Sequence, residues 1–287
     1  MMRTRRSAGV ESDNLSMSMH LRSRSRLQWP VLFVAGALLA TVDAVAAGEA
    51  AQRATSPPPA AKRERAVPFA LGETLTYDVS WSSFLTAGTA TIRVAEKKPS
   101  FASIAYYIVA EGRPTPLVAK LYSLYYKVDT LLDAYSLLPQ RGSVYSEEGK
   151  RHRIKTTIFE RAKQRAEYQV ETRTLVRKTI AISAVAQDPL GALFVLRSIP
   201  LKPGEKITMP ICDDGISYKI LIEAGPTESI TTGTGAIQAQ RFSITPPPDA
   251  GAHTVLLWLS ADAARLPVKM SAQLPVGAFV LTLSSRG

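Results

Sequence analysis

The chain has 287 residues, 46% of them hydrophobic and 21% charged, a balance ordinary for a folded soluble protein and enough for one large or two modest domains. A single cysteine, Cys212, excludes any internal disulfide. The formal charge is +11, and residues 1–47 account for only +3 of it (six Arg against Glu11, Asp13 and Asp43), so +8 stays with the remainder.

The first stretch reads as an export signal. Arg3, Arg5, Arg6, Arg22, Arg24 and Arg26 precede an apolar run from Trp29 to Val42, and small residues follow at Ala44, Ala46 and Ala47. The run is 14 residues long, short of the roughly 20 that a spanning helix needs, so cleavage near Ala47 is expected over retention as an anchor. The long basic region also leaves Met17 and Met19 open as starts. No cysteine lies near the cleavage site to carry a lipid. Export without disulfides fits the bacterial periplasm, with outer-membrane association compatible. In that compartment the basicity points to anionic envelope surfaces and away from nucleic acid.

Residues 48–66 hold Pro57-Pro58-Pro59 and Lys62-Arg63-Glu64-Arg65 with almost no large apolar side chain, and read as a disordered linker. Residues 67–287 then form a single β domain. Leu75, Tyr77, Val79 and Trp81 alternate with polar residues, and a second strand ends at Ile92 and Val94 after a turn at Gly88. Ile104 to Ile108, Leu124 to Val128 and Leu131 to Leu137 give three more. Gly112 to Pro116, with two prolines, is excluded from a central strand. Val144 to Phe159 reads as a hairpin turning at Glu148-Gly149, and Arg165 to Val170 and Leu175 to Ile182 continue the meander.

Gln187 to Pro203 breaks the pattern. Asp188 suits an N-cap and Pro189 a first turn; Leu190, Leu193, Phe194 and Arg197 follow at helical spacing, and Pro200 stops the run. The spacing predicts one short helix over 188–199, apolar nearly all round and therefore buried. Beyond it, Asp213-Asp214-Gly215 between Lys206–Ile211 and Ile216–Glu223 signals a tight hairpin. Strands over Ala236–Thr245, His253–Leu259, Val268–Leu274 and Gly277–Leu283 complete about 13. The class is all-β: an antiparallel barrel-like or sandwich meander with one buried helix.

Motifs for chemistry are missing. His152 and His253 have no partner at ligand spacing, so no metal is expected, and no cofactor signature is present. Cys212 reads as a partly buried thiol. Asp213 and Asp214, adjacent in a turn, diverge rather than share a proton, and the hairpin accounts for both. Gly233-Thr234-Gly235 precedes no helix, and no nucleophile elbow occurs. The chain reads as a non-enzyme.

Two surfaces remain. The aromatic and aliphatic stripes, with Trp81, Tyr106, Tyr126, Phe194 and Trp258, are candidates to line an apolar ligand cavity or simply to fill a core. Ten Lys or Arg between Lys150 and Lys178 include Arg151, Arg153 and Lys155, candidates for contact with an anionic membrane surface or a solvated hairpin face. The leading expectation is a periplasmic module that binds or carries an apolar or amphipathic envelope molecule such as a lipid. The alternative is a structural or interaction protein of the envelope with a filled barrel and a basic docking hairpin. Oligomeric state is not legible.

Four segments in order resemble a family of bacterial envelope proteins, the domain of unknown function 3108. They are Pro68 to Trp81 with Ala87-Gly88-Thr89-Ala90; Asp188-Pro189-Leu190 with Leu196-Arg197; Leu201 to Glu205; and Trp258-Leu259-Ser260 with Asp262 to Val268. The resemblance implies an exported, all-β protein with little helix, and carries over no catalytic residues. In its own right Asp262 can open a short turn that Pro267 closes, and Arg265 on that turn either pairs with a carboxylate or points outward.

Overall fold

A computed structural model of the chain describes residues 62–82, 85–121, 124–251, 253–274 and 277–287. The expected export signal and residues 48–61 of the expected linker lie outside these. Residues 62–66 do not hang free: Lys97 Nζ donates to Glu64 at 2.6 Å, and the Arg65 N–H donates to the Ala134 carbonyl at 3.1 Å. The linker reading therefore does not extend to Ala66.

The strands are β1 (Thr74–Trp81), β2 (Leu85–Ser100), β3 (Ser103–Pro114), then after helix α1 (Pro116–Leu121) β4 (Leu124–Asp133), β5 (Pro139–Glu148), β6 (Arg151–Glu160), β7 (Arg165–Glu171) and β8 (Leu175–Ala181). Helix α2 (Pro189–Arg197) precedes β9 (Lys206–Asp213), β10 (Ile216–Thr232), β11 (Gly235–Thr245), β12 (Val255–Ser260), β13 (Pro267–Leu274) and β14 (Gly277–Arg286). All 14 form one sheet in the order β8-β7-β6-β5-β4-β3-β2-β1-β14-β13-β12-β11-β10-β9. The chain starts at the centre, meanders out to one edge, crosses through α2 to the far edge, and meanders back until β14 pairs antiparallel with β1.

An open sheet this wide curls. Bulges at Thr76/Tyr77, Val94/Glu96, Leu131/Leu132 and Ala224/Thr227 add local twist. The two edges are joined by residues 182–187 rather than by a strand pair. Gln187 N–H donates to the Pro210 carbonyl and Cys212 N–H to the Gln187 carbonyl, both at 2.8 Å, while Ile182, Ala186 and Cys212 share a small core with Phe159 and Tyr168. Helix α2 then lies on the concave side, touching β4 and β9.

The helix separates two cores. Leu190 and Phe194 pack with Phe69, Tyr77, Tyr106 and Leu132. Ala192 and Leu196 pack with Met209, Ile222, Phe242 and Leu257. Each fully buried Leu or Phe contributes about 1.5–3 kcal/mol, so α2 is held mainly by burial on opposite sides. The expected start at Asp188 is observed, and the helix ends two residues before the expected 199.

Three local expectations need correction. Residues 131–137 are not a separate strand: β4 runs through Asp133, whose carboxylate accepts N–H bonds from Tyr135 and Ser136 and turns the chain there. Gly112 to Pro114 close β3 inside the sheet, with Pro114 paired to Gly88 at the strand end, where the missing N–H is tolerable. A side chain at Gly88 is impossible there, since its Cβ would meet the Arg113 carbonyl at 2.3 Å. Finally β10 runs on to Thr232 past Gly225-Pro226, and its far half with β11 folds against the face of β12–β14 that carries Trp258.

Candidate functional site

Strand alternation places Ile92, Val128, Ile220, Val255, Met270 and Leu281 on the concave face, and α2 turns Leu190, Leu193 and Leu196 toward them. The helix does not fill the space between. A cavity of about 590 Å³ remains, bounded by α2, by β2–β4 on one side and by β9–β14 on the other. It reaches the end of the sheet where the β11–β12 connection runs, so that Pro246 and His253 belong to its wall.

Polar side chains are few. In the β9–β10 hairpin Ile211 faces Tyr218, and both line the cavity; two residues on, Asp213 returns to that face. Asp214 and Gly215 form the turn with φ of 45° and 79°, a primed hairpin turn. Asp214 instead has partners of its own, accepting from Lys155 Nζ and the Tyr168 hydroxyl at 2.6 Å each. The two neighbouring aspartates thus diverge, as the sequence suggests. Burial and then the charge of Asp214 push the Asp213 carboxyl above its ordinary range, whereas hydrogen bonds from Lys155 and Tyr168 overcome burial and pull Asp214 down. Burial, helped by Asp213, pushes the Tyr218 hydroxyl up to about 12.

The floor is fixed from beneath. Asp188 caps α2 by accepting the Gly191 N–H at 2.7 Å, and its second oxygen accepts the Thr130 hydroxyl at 2.6 Å. Arg197, 0% exposed, makes a fork to both Glu73 oxygens at 2.7 and 3.1 Å and donates to the Ala264 and Arg265 carbonyls at 3.1 Å. Arg265 in turn donates to the Leu196 and Ile199 carbonyls, closing the C-terminal end of α2. Sequence spacing missed this lock, although Arg197 on an otherwise apolar helix was its trace.

Of the five aromatics singled out from the sequence, the structure brings only Tyr126 to the cavity. Trp81 is 42% exposed and stacks on Phe279. Tyr106 and Phe194 pack edge-on against Phe69 in the core. Trp258, one residue from the cavity-lining Leu257, faces the opposite side, where its indole N–H donates to Glu228. The cavity is walled mostly by aliphatic residues instead. Arg151, Arg153 and Lys155 form one row of β6, and Lys155 pairs with Val144, itself opposite the cavity-lining Val128. That row is on the concave side rather than on an outer docking face, and Lys155 is committed to Asp214.

Other reactive groups do not converge. Cys212 is buried and its thiol is pushed up to about 11 by burial and Asp213, opposite to an activated nucleophile. His152 sits 3.8 Å from Glu147 on the surface. Among the described residues no three His, Cys, Asp or Glu gather to hold a metal ion.

The model of a family of proteins of unknown function, DUF3108, matches residues 76–284. Among solved structures, the chain is similar to a beta-barrel-like protein of the domain of unknown function DUF1849 from Brucella abortus, at 10% identity and a TM-score of 0.48, over 75% of this chain and 97% of that one. A protein from Bacteroides fragilis described as exported, with a YmcC-like fold, is 11% identical at a TM-score of 0.33, over 77% and 98%. A protein from Parabacteroides distasonis described as a lipoprotein is 10% identical at 0.31, over 78% and 100%. No functionally curated protein matches the sequence.

Proposed function

The chain belongs to the DUF3108 family of proteins of unknown function, and we propose that it is an exported, non-catalytic binding protein that shelters an apolar or amphipathic molecule of the bacterial envelope. The observation that carries this is the cavity. At about 590 Å³ it falls within the roughly 300–1,000 Å³ of small-molecule sites, and its aliphatic wall with a few polar groups near one end is the usual make-up of such sites. The basic and apolar leader supports an address in the periplasm. A solid scaffold docking through its basic hairpin fits less well, because the interior is open and Lys155 is already paired.

The test uses N-phenyl-1-naphthylamine, whose fluorescence rises on entering an apolar site. Saturable binding is expected. Ala272→Trp, which puts an indole into the cavity from β13, should weaken binding by about tenfold or more, equivalent to about 1.4 kcal/mol. Uptake that is absent, or equal in the filled variant, contradicts the proposal.

A further inference from the structure

The hairpin turn explains Asp214 and Gly215 but not Asp213. Both central positions have positive φ, the requirement of a primed turn that Asp-Gly satisfies. Gly215 is further required because a Cβ there would lie 2.9 Å from the Tyr168 ring. Nothing in this geometry asks for an acid one residue earlier. Yet Asp213 sits on the inner row with Ile211, in the wall of a mostly apolar cavity.

Among the described residues no Lys or Arg forms an ion pair with it. Lys155, which does act on it through space, is bonded to Asp214 instead. Arg153 lies by Asp214 and Tyr168, farther out. The groups that interact with Asp213 through space or by a hydrogen bond are Asp214, the Asp214 N–H, Lys155, the Cys212 thiol, the Tyr218 and Tyr168 hydroxyls and, across from α2, Asp188. Glu111 is itself in the wall, but it pairs across β3–β4 with Lys127 on the outer row, between the cavity-lining Ala110 and Gly112, and its carboxylate lies 3.6 Å from the Arg113 guanidinium. Asp213 is therefore the one carboxylate on an inward strand position among the described wall residues. A carboxylate in apolar surroundings that makes no ion pair with the chain is placed to accept a donor group brought in by a ligand.

We propose that Asp213 is the polar anchor of the cavity and selects amphiphiles whose first polar group beyond the tail is a hydroxyl, an amine or an ammonium, over those that end in a carboxylate. This rests on the cavity being a ligand site and adds the chemistry of the head group. A hydroxyl or amine donates to the carboxylate, and in the amine case the hydrogen bond is charge-assisted at both ends. A carboxylate head would meet a like charge in low dielectric. An anionic group belonging to a larger head is accommodated only farther out, toward Arg151 and Arg153.

The experiment compares four amphiphiles sharing one dodecyl tail, dodecanol, dodecylamine, dodecyltrimethylammonium and dodecanoate, as displacers of the neutral naphthylamine probe from the whole protein. In the native protein the first three should displace at least about tenfold better than dodecanoate, a difference of about 1.4 kcal/mol. Asp213→Asn, nearly the same shape, should close that gap chiefly by improving dodecanoate. The proposal is overturned by dodecanoate binding as well as the others, or by a ranking that survives in Asp213→Asn. A preference for dodecanoate that disappears in Arg153→Gln would overturn it too, assigning the anchor to the basic row. Probe binding with no discrimination leaves the cavity reading standing and removes this one, whereas failure of every tail and of the probe removes both. The ranking in the native protein needs no variant, so a misfolded Asp213→Asn does not protect the idea.

Discussion

At the scale of single residues, Asp188 carries the clearest conflict between local and global demands. As an N-cap it accepts the Gly191 N–H and the Thr130 hydroxyl, yet it is wholly buried, and burial outweighs those bonds to push its carboxyl up to about 6. The folded state thus holds the Asp188 proton more tightly than the unfolded chain, where the carboxyl is ordinary. For this group stability rises as pH falls from about 6 toward 4, and its contribution opposes folding above that window. Asn keeps the accepting oxygen and removes the charge. Asp188→Asn should therefore raise the urea midpoint at pH 7 and lose the advantage near pH 4. Asp188→Ala, compared at pH 5, should cost about 0.5–2 kcal/mol through the lost cap. An Asn variant that tracks the native pH profile would contradict this.

At the scale of elements, α2 is the part that decides whether the interior is filled or open, and its C-terminal end is held by charged groups from distant segments. Its start and stop were legible in the sequence, because a cap, a proline and helical spacing are local signals. Glu73 and Arg265 were not, since they lie 124 and 68 residues from Arg197 and only the fold brings them together. Helix α1 escaped notice for the opposite reason. Pro114 and Pro116 read as breakers, although Pro116 sits in the first turn of α1, where proline is tolerated. The lock on α2 makes a quantitative prediction. Arg197→Met leaves the Glu73 carboxylate buried without its fork, a situation that typically costs 3–5 kcal/mol, so about 3 kcal/mol is expected, because Arg286 at 3.8 Å retains a cation nearby. Adding Glu73→Leu should recover most of the loss in the double-mutant cycle. Strict additivity of the two losses in urea denaturation would show that the fork does not hold the helix.

At the scale of the whole domain, alternation in the sequence divides each strand into two faces but does not say which face meets the cavity. Trp81, Tyr106, Phe194 and Trp258 lie off the cavity, because packing against Phe279, Phe69 and Glu228 uses them elsewhere. The far half of the β10–β11 hairpin creates a second apolar layer over β12–β14, which no periodicity announces. The antiparallel meander, the tight Asp-Gly turn and the buried helix α2 were legible. The adjacency of β1 and β14 was not, because it is a property of closure. The same curl that joins those strands leaves the space beside α2, so fold and proposed function share one cause. Native mass spectrometry of the protein purified without detergent, after gentle extraction, tests that claim most directly. The account predicts a bound small amphiphile that Ala272→Trp no longer retains. A bare protein mass for the native chain, with no uptake when amphiphiles are supplied, would contradict it.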